Sequence, residues 1–159
     1  MEALLLLRTM LHYHVAATRR TWELVRGSLS EEEFRRDLGF SWGSLRNELL
    51  HVAFVDRSWL ALLRGEPEPP DEPFESFRSM AQAHAVADAS LAGVASCIAG
   101  LTAGELETAD PGLPGTRWQI LLHVANHGTD HRGRVICQLK ILGKPGFDQD
   151  LVDHLRGRF

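Results

Sequence analysis

Three histidines stand at four-residue intervals in HVANHGTDHRGRV: His123, His127 and His131. On a helix, residues four apart lie about 40° apart around the axis and about 6 Å along it, so two such imidazoles can reach one metal ion. Residues eight apart lie about 12 Å apart along the axis, too far to share an ion whose bonds to nitrogen are only ~2.0–2.1 Å. The segment therefore offers a pair, and its apolar positions choose which. Leu121, Leu122, Ala125, Val135, Ile136, Leu139 and Leu142 define the inward face. At ~100° per residue, His131 lies about 90° from the centre of that face, His127 about 130° and His123 about 170°. His127 and His131 fall at the edge of the core, and His123 points to solvent. The motif is not HExxH, because no glutamate occupies the position of a protease base.

A third ligand must come from elsewhere. In LRNELLHVAFVDRSWLALL (45–63), Leu45, Val52, Val55, Trp59 and Leu62 mark an inward face, and His51 falls among them. Packing this stretch beside His127 and His131 would bring three imidazoles together. Three protein ligands with an open position is the pattern of a catalytic metal site, whereas a structural site is closed. In one chemistry the metal lowers the pKa of bound water, toward ~7 for zinc, and makes hydroxide for hydrolysis. In the other it holds a cofactor thiol as thiolate for attack on an electrophilic carbon. Three neutral imidazoles favour an anionic fourth ligand, which fits both. A lone core-facing histidine is ordinarily a hydrogen-bonded core residue and HxxxH pairs are common on surfaces, so the metal reading rests on the conjunction.

The general base is not singled out: Asp56, Asp88, Glu48 and Asp130 are the candidates, with Asp130 toward solvent and Asp56 read most simply as a surface acid near Arg57. Glu48 and Arg132 each fall on the apolar face of their helix, and buried charges are costly unless paired. Two readings follow. Either they pair across the helix interface and brace the ligands, or both snorkel outward. His14 and His84 also sit on apolar stripes, as satisfied core residues or as lining of a pocket, which Asp56 and Trp59 would share. Trp42, Trp59 and Trp118 begin or line these helices, as core packing or as surfaces for substrate.

Four helical stretches position these residues. The first covers 2–27 and ends at Gly27-Ser28, followed by a short turn in which Ser30 and Glu33 form a capping-box pattern. The second runs from Leu45 to Leu63 with Ser44 or Ser41 as N-cap. EPEPPDEP (66–73) is a loop, since proline removes helical hydrogen bonds. The third runs from Phe74 to Ile98 and is rich in Ala, Gly and Ser, so a neighbour can approach closely. A loop over 101–118 carries the turn signals Pro111-Gly112 and Pro114-Gly115. The fourth runs from Thr116 to Leu142, and FDQDLVDHLRGRF adds one more turn. No strand alternation is found, and the pattern predicts an all-α four-helix bundle over residues 1–159 as one domain.

Totals exclude several classes. A formal net charge of −4 with dispersed Lys and Arg argues against a nucleic-acid surface. Two cysteines forty positions apart, Cys97 and Cys137, make neither a disulfide framework nor a thiolate zinc site, and a reducing cytoplasm is the default. No secretory signal is read at the N-terminus. The most apolar stretch, 81–100, is set aside as a membrane span because Gln82, His84 and Asp88 interrupt it.

GSLRNELLHVAFVDRSWL (43–60) followed downstream by HVANHGTDHRGRVICQLKILG (123–143) resembles the DinB/YfiT-like family of metal-dependent enzymes. The resemblance runs from the first helix to the PGFD segment after the last. Its sharpest motifs are the second-helix histidine and the stretch Asn126-His127 through His131-Arg132-Gly133; Arg134 stands where the family usually has Gln. The implied ligands are His51, His127 and His131, the residues chosen by geometry. The resemblance also implies a four-helix bundle with a long connection between its second and third helices, zinc or nickel as the metal, and a homodimer. Several relatives are transferases or isomerases that use a low-molecular-weight thiol. The expected function is a metal-dependent thiol S-transferase or hydrolase acting on a small molecule. The alternative is a non-catalytic metal-binding or stress-response helical module.

Overall fold

The structure is a computed structural model and describes residues 2–70, 72–110 and 112–159. Pro111, one of the turn signals, lies outside the described residues. Among those described are six α-helices: α1 (Glu2–Ser28), α2 (Glu31–Arg35), α3 (Leu45–Leu63), α4 (Met80–Gly100), α5 (Arg117–Ile141) and α6 (Leu151–Leu155). Four are long. No β-strand occurs among the described residues, only an isolated bridge between Ala109 and Thr116.

Caps fix where the helices begin. Ser30 and Glu33 close a capping box on α2, and Ser44 accepts the Asn47 N–H at the start of α3. At the start of α5, Gln119 accepts the Thr116 N–H at 2.9 Å. The third long helix begins later than periodicity predicts, at Met80 rather than Phe74. Ser79 and Gln82 form a capping box there and satisfy N–H groups that a longer helix would have bonded internally. Glu31 of α2 adds a carboxylate to the Met80 N–H at 2.9 Å. Phe74–Ser76 is left as a single 3₁₀ turn. By length and composition α4 is apolar enough to cross a membrane, despite the three polar residues that set it aside in the sequence. One of its faces packs against α1 and α3.

Side-chain pairs give the helix directions. Glu48 meets His131 while Trp59 meets His123, so α3 and α5 are antiparallel. Trp22 meets His84 while Arg8 reaches Leu101, so α1 and α4 are also antiparallel. Ser90 bonds Ala53 while Leu60 lies beside Gly93, so α3 and α4 run parallel. Parallel neighbours need a connection that returns the length of a helix, and residues 64–79 supply it.

Two apolar clusters fill the interior. One gathers Leu7, Leu11, Leu60, Val94, Ile98 and Val124. The other gathers Trp22, Phe34, Leu49, Ala83, Val135 and Leu139. Each long helix passes from one cluster to the other through a buried polar residue: His14 on α1, Asp56 on α3, Ser90 on α4 and Arg132 on α5. Arg132 donates to His14 Nδ1 and to Thr18 Oγ1, each at 3.1 Å, to Thr129 Oγ1 at 3.0 Å and to Gln149 Oε1 at 2.9 Å. Its guanidinium also lies 5.2 Å from the centre of the Tyr13 ring. Arginine cannot accept, so His14 Nδ1 is the acceptor and His14 Nε2 carries the hydrogen, which it donates to Asp56 Oδ2 at 2.8 Å. A neutral imidazole thus links a buried cation to a buried carboxylate.

Gly128 makes this contact possible. A Cβ at that position would lie 2.2 Å from His14 Nδ1 and 2.9 Å from Arg132 Nη1. Gly128→Ala is expected to lower stability by about 1–3 kcal/mol through overpacking. Gly27→Ala, with nothing within 4 Å of the new Cβ, should raise it by about 0.5–1 kcal/mol. Urea unfolding of the two variants checks both signs.

Candidate metal centre

α3 and α5 cross with His51 facing His127 and His131. One ligand atom from each of the three rings lies within 4.8 Å of the other two. His51 Nε2 and His127 Nε2 are 3.1 Å apart. His131 is 4% exposed, and the other two are half-buried at the edge of the interior. Metal–nitrogen bonds of ~2.0–2.1 Å at tetrahedral angles set ligand atoms about 3.4 Å apart. His51 and His127 already stand near that spacing, and a shift of about 1 Å in the rings brings in the third, so the residues present fit a divalent ion. An all-imidazole donor set suits zinc and the later first-row transition metals and not the oxygen-seeking calcium or magnesium.

The profile of the DinB family matches residues 1–157 of the 159. The chain belongs to the DinB family. No curated protein matches it significantly.

In this DinB chain the three rings are held differently. Glu48, fully buried, accepts the Nδ1–H of His131 at 2.5 Å. That bond places the ring's other nitrogen, with its lone pair, toward the cluster. Burial pushes the Glu48 carboxyl up, but hydrogen bonds from His131, Ser41 and the Trp42 backbone outweigh it, and the net direction is down. The carboxylate is therefore ionised where His131 needs an acceptor. The turn before α3 delivers two of these donors. It passes through left-handed backbone at Gly39, Ser41 and Gly43, with Ser41 at φ 54°, and it lays the Trp42 ring over His51 at 4.5 Å between centroids. His127 has no such support: its Nδ1 is buried without a protein partner.

Several expected placements are corrected. Glu48 and Arg132 are both buried, but they neither pair with each other nor snorkel to solvent. Residues 131 and 132 are ~100° apart on α5, so His131 meets Glu48 on the α3 side and Arg132 turns toward α1. Asp56 is no surface acid: it is 1% exposed and bonded to His14. His14 and Asp56 are buried in the polar layer, and neither lines the cleft beside His51. His84 packs on Trp22 with ring centres 5.0 Å apart and pairs with Asp88 at 3.2 Å, away from the cluster. Trp59 lines a cleft of about 760 Å³ that His51 also lines. His123 is exposed, 5.7 Å ring to ring from His127, and Asp130 is exposed and bound to Arg134. Sequence reasoning missed Gln149, Thr18 and Tyr13 as partners of Arg132. The signal available was Gly128, a helix-interior glycine beside His127 that marks close approach.

Burial first, then the neighbouring His131 ring, holds the His51 imidazole down to about 4. The same two causes hold His127 down to about 3. Both rings are neutral near physiological pH, as ligation requires. In the unfolded chain they titrate near ~6.5. As pH falls through that value the unfolded state takes up protons that the folded rings refuse, so stability is lost from about pH 6.5 down to about 3. Urea unfolding of metal-free protein over this range should show the decline, and it should be shallower in the His51→Gln/His127→Gln double variant.

Proposed function

We propose that this chain is a metal-dependent enzyme of the DinB type, with His51, His127 and His131 as ligands of one divalent ion. On this reading the four long helices are the family's four-helix bundle, with residues 64–79 as its long connection. The observation that carries it is the convergence of three imidazoles at an open cleft, one of them fixed by a buried carboxylate. When bound, the ion would supply Lewis acidity at its open position, which favours hydroxide or thiolate near neutral pH.

The rest falls to the chain. The three imidazoles bind and stay neutral, Glu48 keeps a proton on His131 Nδ1, and Trp42 shields one face of His51. No protein thiol belongs to the cluster, since Cys97 is half-buried on α4 and Cys137 is exposed. An attacking sulfur would therefore come from a small thiol. The reading placed first is a low-molecular-weight-thiol S-transferase and the second a hydrolase, working on a small molecule; the cytoplasm and the homodimer are carried over from the family resemblance. A purely structural metal is disfavoured because a structural site is closed, whereas His51 borders an open cleft.

Metal analysis of protein prepared without a histidine tag tests the reading. About one equivalent of zinc or nickel is expected in the parent and none in His51→Ala. Glu48→Gln should weaken metal binding by about 10–100-fold, the usual effect of removing a ligand's hydrogen-bond partner. Chelation should leave helix content and cooperative unfolding in place. No metal in the parent even after reconstitution, or unfolding on chelation, would contradict it.

A further inference from the structure

The cleft beside His51 has a one-sided chemistry. Its volume, about 760 Å³, falls in the range of small-molecule sites. Trp42, Phe54, Trp59 and Phe74 form its walls. Phe54 and Phe74 stack with ring centres 5.8 Å apart, and Phe74 stands edge-on to Trp42 at the same distance. The rim comes from the 64–79 connection and brings three carboxylates: Glu68, Glu72 and Glu75. Among the described residues, no lysine or arginine lines the cleft. Arg57 and Arg46 hold Glu72 and Glu75 from outside, at 3.1 and 3.5 Å, and Glu68 makes no ion pair among the described residues.

Aromatic faces carry negative charge density and attract cations, and carboxylates add to that field. The wall already accepts one cation, because the Arg57 guanidinium lies 5.1 Å from the centre of the Phe54 ring. A carboxylate or phosphate would meet Glu68, whose charge no described residue offsets, beside two glutamates already paired with arginine, and no lining cation among the described residues. An alkylated ammonium suits the place best, since its methyl groups bury against the rings while its charge faces the glutamates.

We propose that this cleft binds the alkylated-ammonium end of the substrate, while the substrate's other end reaches the three-histidine cluster through their shared wall at His51. The inference rests on the metal-centre reading and names the substrate class for that same site. Its test needs no turnover. Metal-free protein is titrated with choline, with its uncharged isostere 3,3-dimethylbutan-1-ol and with 3,3-dimethylbutanoate, followed by tryptophan fluorescence and calorimetry. Choline is expected to bind about tenfold tighter than the isostere, the order of a cation–π contact reinforced by nearby charge, and the carboxylate not to bind. Glu68→Gln, at an exposed position, should weaken choline several-fold and leave the isostere unchanged. Trp59→Leu should weaken both. Equal binding of choline and isostere, preference for the carboxylate, or no binding of any probe would overturn the inference. Metal content is read separately: metal uptake without cation preference defeats this inference alone, and cation preference without metal uptake defeats the metal-centre reading alone.

Discussion

Arg132 is a charge buried between two apolar clusters, and the arrangement of the helices around it follows from the need to satisfy it. An unpaired buried cation would cost several kcal/mol. Here its donors are taken up by α1, by its own helix and by Gln149 near the C-terminus, and its counter-charge is Asp56, reached through the imidazole of His14. The contact demands that α1 and α5 approach within the space of a glycine at position 128. Once Arg132 is fixed toward α1, the helical repeat turns the preceding residue, His131, toward α3. The histidine cluster is thus aimed by a network that does not touch it.

On the α3 side, Glu48 completes the aim. A carboxylate buried without a donor would be costly, and His131 supplies the donor, so each group satisfies the other. The outcome is a ring with its proton on the outer nitrogen and its lone pair toward His51 and His127. Those two rings lie nearer solvent and bring their Nε2 atoms within 3.1 Å. A gradient runs across the cluster, from His131, locked by the interior, to His51, which borders an open cleft. Such a gradient suits a site that must hold an ion firmly and still admit a small molecule.

Much of this was legible in the sequence, and the residues show why the rest was not. The four-residue spacing and the apolar stripe were enough to choose His127 and His131 over His123, because local helix geometry decides that question. The cap of α3 was narrowed to Ser44 or Ser41, and the structure uses Ser44, since capping is also local. The same wheel placed Glu48 and Arg132 on apolar faces but could not say which neighbour each would meet. Two consecutive positions on α5 face different helices, and only the three-dimensional packing assigns His131 to Glu48 and Arg132 to His14. Gln149 escaped for a related reason: it joins Arg132 through docking of the tail, a contact that no periodicity encodes. The late start of α4 was readable in Ser79 and Gln82, but the phase of Phe77 hid it.

The central claim is that the buried Glu48 carboxylate presets His131 as a ligand. Long-range proton–nitrogen NMR spectra of the histidine rings in metal-free protein test it most directly. The expected result is His131 with its proton on Nδ1 and a bare Nε2, and on adding zinc a shift of His51, His127 and His131 while the other histidines stay in place. A proton on His131 Nε2 with Nδ1 bare, or zinc shifting His12 and His154 instead, would contradict it.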